Sequence, residues 1–201
     1  MRRHPKRLIV TVLAIAATAI AADEVFRAQP AASYSNKQVV EKVTIAAAAF
    51  DTEEKAKTAF GKVNPNKYGV LPVLVVIHNG TGKALNLSGI RTEYVGPNNS
   101  RMEATPVADV PFIQGPSRPK YDAGGPIPGG GPRVSRKKNP LKAEQIEMRS
   151  FQAKMLPPGE EASGFFYFQA GFQSGSQVYV TGLKEAGSVK EIFYVEVPLS
   201  D

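Results

Sequence analysis

The chain has 201 residues, a formal net charge of +7, no cysteine, no tryptophan and two histidines. The absence of cysteine excludes disulfides, thiolate metal sites, cysteine nucleophiles and acylation at a cysteine. Its length suits one domain with a proper core, since such a chain buries roughly 70% of the surface its unfolded form exposes.

Residues 1–21 read as a signal peptide. Arg2, Arg3, Lys6 and Arg7 precede an apolar run from Leu8 to Ala22, and Ala19-Ile20-Ala21 supplies a small-x-small cleavage pattern. The run is short for a membrane span, although retention as an N-terminal anchor is the alternative. Export to the periplasm, the cell surface or the medium is therefore expected. Removing four cations and no acid leaves a mature chain of about +3, so the basic character is weak grounds for a nucleic-acid partner.

Residues 22–37 are polar and unpatterned and are expected to form a flexible leader, with the folded domain spanning 38–201. From Val39 the residues Val39, Val43, Ile45 and Ala47 share one parity, broken by Glu41, which predicts a strand. Asp51-Thr52-Glu53-Glu54 is a helix-capping sequence and Gly61 a helix stop, so a short helix is expected at about 52–60. "GVLPVLVVIHN" (69–79) is apolar on both parities, as in a strand covered on two sides, with Pro72 near its start.

The apolar run then enters "NGTGK" (79–83), which looks like the exit of a phosphate-binding loop. Such a loop needs a glycine five positions before the Gly-Lys pair, but Ile77 stands there. It also needs a hydroxyl after the lysine, but Ala84 stands there, and Leu85-Asn86-Leu87 alternates instead of repeating at helical spacing. The segment is expected to be a tight turn between antiparallel strands, with Asn79-Gly80 and Gly82 supplying left-handed conformations. A parity slip at Ser88-Gly89 before Ile90, Thr92 and Tyr94 predicts a bulge or a kinked strand. A turn at Pro97-Asn98-Asn99 and a short strand at 101–105 follow.

Between Gln114 and Lys142 the composition changes: twelve of the 29 residues are Gly or Pro, and seven cations face Asp122 alone. A segment so poor in apolar surface is expected to be a mobile basic loop. A helical turn is expected near 141–148. Phe151, Ala153 and Met155 alternate into the Pro157-Pro158-Gly159 turn, "GFFYFQ" (164–169) is a strand aromatic on both faces, and Val178 and Val180 are expected to pair with Phe193, Val195 and Val197. The expected fold is mainly β: a single immunoglobulin-like antiparallel β-sandwich with one short helix and the long Gly/Pro-rich loop.

Catalytic parts are scarce. His78 alone survives removal of the signal, at the end of a buried strand, where backbone bonding accounts for it. No nucleophile elbow, metal-ligand spacing or cofactor motif is present, so no catalytic, metal or cofactor residue is assigned and the chain is not expected to be an enzyme. Two features point to binding instead. Arg133, Arg136, Lys137 and Lys138 form a candidate anion-binding cluster that would give salt-sensitive adhesion, including peripheral contact with a membrane. Phe165 and Tyr167 form a candidate partner face that a helix, the loop or another protein must cover.

"FGKVNPNKYGVLPVLVVIHNGTGKALNL" and "MLPPGEEASGFFYF" resemble exported bacterial proteins of unknown function that have an immunoglobulin-like sandwich. The resemblance covers roughly residues 40–110 and 145–198. It implies the fold and the compartment and brings no catalytic residues. The expected function is thus a non-enzymatic binding or envelope-associated module, its partner an anionic envelope polymer or a protein. The alternatives are an envelope-polymer hydrolase using Asp109, Glu160 or Glu161, and a structural subunit completed by another chain.

Overall fold

A computed structural model describes residues 26–113, 139–189, 191, 192 and 194–199. The protein is mainly β, with eleven strands among the described residues arranged in three antiparallel sheets. Sheet one has the order β1 (Lys37–Val40), β2 (Val43–Ala49), β3 (Leu71–Asn79), β8 (Glu161–Phe168). Sheet three has the order β11 (Val195–Pro198), β9 (Gln177–Thr181), β5 (Arg91–Val95), β6 (Arg101–Glu103). Sheet two is a small bridge made of β10 (Lys184–Glu185), β4 (Leu85–Asn86) and β7 (Met155–Leu156).

The double-sided hydrophobicity of 69–79 has a direct structural cause. β3 lies between β2 and β8, and each of its faces looks into a different core. Leu71, Val73, Val75 and Ile77 face the core shared with sheet three, where they meet Tyr94, Val178, Val180 and Val197. Leu74 and Val76 face a second core on the opposite side of sheet one, with Phe60, Val110, Leu141 and Ile146. Each fully buried Val, Leu or Phe contributes about 1.5–3 kcal/mol relative to exposure, so the two cores together dominate the stability.

The second core is roofed by helices. In α1 (Glu53–Phe60) Thr52 Oγ1 accepts the Lys55 N–H at 3.2 Å, and Ala56, Ala59 and Phe60, spaced three and four apart, turn inward. α2 (Glu144–Met148) contributes Ile146, and a 3-10 turn at Val110–Phe112 contributes Val110. Residues 26–36, expected as a flexible leader, instead lie on this roofed face. The Phe26 ring meets Phe50 edge-on at 5.6 Å, Ala31 is fully buried, and the Ala31 N–H donates to Glu161 Oε1 at 3.0 Å. Phe26, Ala28, Ala31 and Tyr34 all join the second core, which ties this segment down.

Three further expectations are corrected. The single strand from Val39 is a hairpin, since Val40 pairs with Val43 around Glu41 and Lys42, whose φ values are 48° and 68°. That left-handed pair is what a two-residue hairpin requires, and here it is made without glycine or asparagine. Val39 is consequently exposed. The kinked strand at 85–94 is two strands, β4 and β5, that belong to different sheets.

The turn at 79–83 likewise joins strands of different sheets, and none of Asn79, Gly80 and Gly82 has positive φ. Gly80 is instead set by close approach: it donates to the Lys42 carbonyl at 3.0 Å, and a Cβ would lie 2.5 Å from that oxygen. The turn is held by the buried Asn79. Its Oδ1 accepts from Thr81 N–H (3.0 Å) and Thr81 Oγ1 (2.7 Å), while its Nδ2 donates to the carbonyls of Lys83 (2.8 Å) and Leu156 (2.9 Å). Its backbone bonds Glu160 and Gly159, so Asn79 also anchors the Pro157-Pro158-Gly159 turn.

Candidate functional site

The two main sheets meet along one side and part along the other. β11 lies against β1 and β2, closing that side. On the opposite side β8 has no further neighbouring strand among the described residues. Its edge is engaged by two crossing segments: Thr105 N–H donates to the Tyr167 carbonyl at 2.7 Å, and 149–151 runs beside Phe165. In that second crossing the Phe165 N–H donates to the Arg149 carbonyl at 2.8 Å, and the Phe151 N–H donates to the Phe165 carbonyl at 3.1 Å. The 149–151 segment therefore acts as a bar, and a cleft opens on each side of it.

The larger cleft has a volume of about 530 Å³ and lies between the parted sheets. Phe151 and Phe166, stacked at 5.3 Å, supply an aromatic wall, and Arg91, Glu93 and Glu103 supply a charged rim. Thr92 shares the inward parity of Tyr94. It is only 3% exposed, and its Oγ1 has no hydrogen-bond partner. Leaving a buried hydroxyl unpaired costs about 1–3 kcal/mol. Among the described residues only Thr92, Arg149 and Ser176 carry such an atom, and the first two each line a cleft.

The smaller cleft, about 350 Å³, lies on the roofed side of sheet one between the N-terminal segment and the bar. Arg27 and Arg149 are its charged residues, and Ser150 and Ser163 its hydroxyls. The Arg149 guanidinium sits 5.3 Å from the centre of the Phe26 ring. Burial pushes the Arg149 pKa down from its ordinary value, against an opposing influence of Tyr167.

Of the residues singled out in the sequence, Arg133, Arg136, Lys137 and Lys138 lie outside the described residues. Phe165 and Tyr167 are corrected as a partner face. They are 2% and 1% exposed because Phe26, Phe50 and Phe60 pack against the Phe165 ring, and Tyr167 Oη donates to the Ile146 carbonyl at 2.7 Å. Their cover is intramolecular. Asp109, Glu160 and Glu161 line neither cleft. Asp109 begins the 3-10 turn at 110–112, Glu160 follows the Pro-Pro-Gly turn, and Glu161 is cross-strand from His78 and holds the Ala31 N–H. No group of three His, Asp or Glu side chains gathers for a metal among the described residues, and no helix among them is long and apolar enough to cross a membrane.

Sequence reasoning missed both Thr92 and Arg149. Thr92 has the parity of any inward strand residue, and Arg149 follows a charged helical stretch that reads as solvated. Only the tertiary position of Phe26 and of the bar distinguishes them.

No family model matches the chain, and the curated proteins yield no match. Among solved structures it is similar to a functionally unknown protein from Listeria monocytogenes EGD-e. The two are 14% identical with a TM-score of 0.38, over 83% of this chain and 82% of that one.

Proposed function

We propose that the chain is an exported, non-enzymatic β-sandwich of immunoglobulin-like type that acts as a binding or envelope-associated module, with its ligand seated in the larger cleft. The Thr92 hydroxyl carries this reading. It is a buried polar group without a partner, at the wall of a cleft with an aromatic side and a charged rim, the composition expected of a small-molecule or polymer site. Oγ1 is enclosed, so a ligand that recovers the cost of leaving it unpaired must shift the side chains around it. The basic cluster Arg133, Arg136, Lys137 and Lys138 favours an anionic envelope polymer and adds a long-range, salt-sensitive attraction. Residues 1–21 supply the route out of the cytoplasm.

Co-sedimentation of the protein with host envelope fractions across a salt series tests this, with Thr92→Val and a fourfold Gln variant at 133, 136, 137 and 138 run alongside. Sedimentation that falls with salt and drops in both variants supports the reading. Full binding by Thr92→Val removes the cleft from the account, and full binding by the fourfold variant removes the basic cluster. Protein that stays in the supernatant at low salt overturns the module itself. Intact mass of the exported form checks cleavage after Ala21.

A further inference from the structure

We infer that the smaller cleft, formed by Phe26, Arg27, Met148, Arg149, Ser163 and Gly164, binds a carboxylate bearing a short apolar substituent, with the Arg149 guanidinium as its main contact. A guanidinium has five N–H donors in a rigid fork. The Arg149 side chain makes no hydrogen bond and no ion pair among the described residues, and its Nη1 is enclosed without a partner. A partly desolvated cation in this state lacks the counter-charge that usually compensates burial. Among the described residues no acidic side chain lines the cleft, and Arg27 adds a second positive charge.

The walls select among anions. Phe26, Leu74 and Met148 present apolar surface, and the Phe26 ring already lies against the guanidinium at 5.3 Å. A carboxylate spans two parallel N–H donors of one guanidinium and directs its substituent at those walls. Inorganic phosphate has no substituent to set against those walls. The volume of about 350 Å³ admits a substituent of a few heavy atoms. This inference uses different polar groups from the Thr92 cleft and needs neither export nor an envelope partner.

The test is titration of the ¹⁵N-labelled full chain with butyrate, N-acetylalanine, glucuronate and inorganic phosphate, followed by the amide shifts of Ser150, Ser163 and Gly164 and by the Arg149 Nε–H. Butyrate and N-acetylalanine should give saturable shifts, with phosphate and the Arg149→Met variant each about tenfold weaker or more. Tighter N-acetylalanine than butyrate points to a peptide-like source of the carboxylate. Glucuronate equal to butyrate overturns the apolar half of the assignment. Absence of saturation with every carboxylate, tightest binding by phosphate, or unchanged butyrate affinity in Arg149→Met overturns the site. If Arg149→Met loses its dispersed spectrum, Arg149→Lys takes its place: it keeps the charge but not the fork, and unchanged butyrate affinity there overturns the bidentate assignment.

Discussion

Phe151 occupies the space that a side chain at Gly164 would fill: a Cβ built there meets the Phe151 Cα, N and Cβ. This contact lets the 149–151 bar lie against the edge of β8 and lets the Phe151 ring stack on Phe166. Gly164→Ala must push the bar outward. It should destabilise the protein by about 1–3 kcal/mol, the usual cost of overpacking a tight interior. Urea unfolding measures the loss, and both ligand tests above should weaken together, because the bar borders both clefts.

Asn79 is a second point where one side chain holds distant segments. Asn79→Ala removes the donors to the Lys83 and Leu156 carbonyls and the acceptor for Thr81, with little compensation from water at a fully buried position. The expected loss is about 2–4 kcal/mol, from two or more broken bonds at a site that stays buried. Asn79→Asp keeps the acceptor but turns a carboxyl group toward two carbonyls, so its unfolding midpoint should be no higher than that of the alanine variant.

Thr92→Val tests the opposite balance. It replaces an unpaired hydroxyl by a methyl of nearly the same shape on an inward strand position. Stability should stay level or rise, by up to about 1 kcal/mol, while binding in the larger cleft falls. A drop in thermal stability beyond that range would mean the hydroxyl has a structural partner after all.

Tyr167 gives a pH dependence with a definite sign. Burial raises its phenol pKa well above the ordinary 10.0, while the nearby Arg149 opposes this. The folded state therefore holds a proton that the unfolded state gives up. Its contribution is complete below about pH 10 and is lost as pH climbs through the folded value. Tyr34, raised chiefly by burial, acts in the same direction. Chemical denaturation across pH 8–11 should show falling stability above about pH 10, and Tyr167→Phe should flatten part of that fall. At neutral pH the same variant should cost about 1–2 kcal/mol, since it leaves the Ile146 carbonyl unpaired.

Much of the β architecture was readable from periodicity because periodicity is local. The helix at 53–60, the two-sided strand 71–79, the aromatic strand 161–168 and the pairing of Val178 and Val180 with Val197 and Val195 all follow from residues close together in the chain. Alternation does not say which sheet a strand joins, so the sheet changes after Asn79 and after Leu87 read as turn and bulge. The Glu41-Lys42 hairpin carries no turn residue at all. The need to cover Phe165 and Tyr167 was legible, but not what covers them, because Phe26, Phe60 and Ile146 reach them from distant positions. Arg149 was missed for the same reason, its isolation being made by residues far from it in sequence.

β3 pairs with one strand close to it in sequence and one far from it. β2 reaches β3 from just upstream, but β8 arrives only after the strands of sheet three up to β6, the roofing turns and α2 have been made. Contacts this distant close slowly, on the millisecond-to-second scale typical of such topologies. Until then β3 offers a bare hydrogen-bonding edge, the kind that invites pairing with another chain. In the folded protein β8 covers that edge and carries 149–151 on its own outer side. The pairing that covers the edge of β3 is thus the one on which both clefts depend, and it leaves β8, crossed by Thr105 and 149–151, as the outer strand of sheet one.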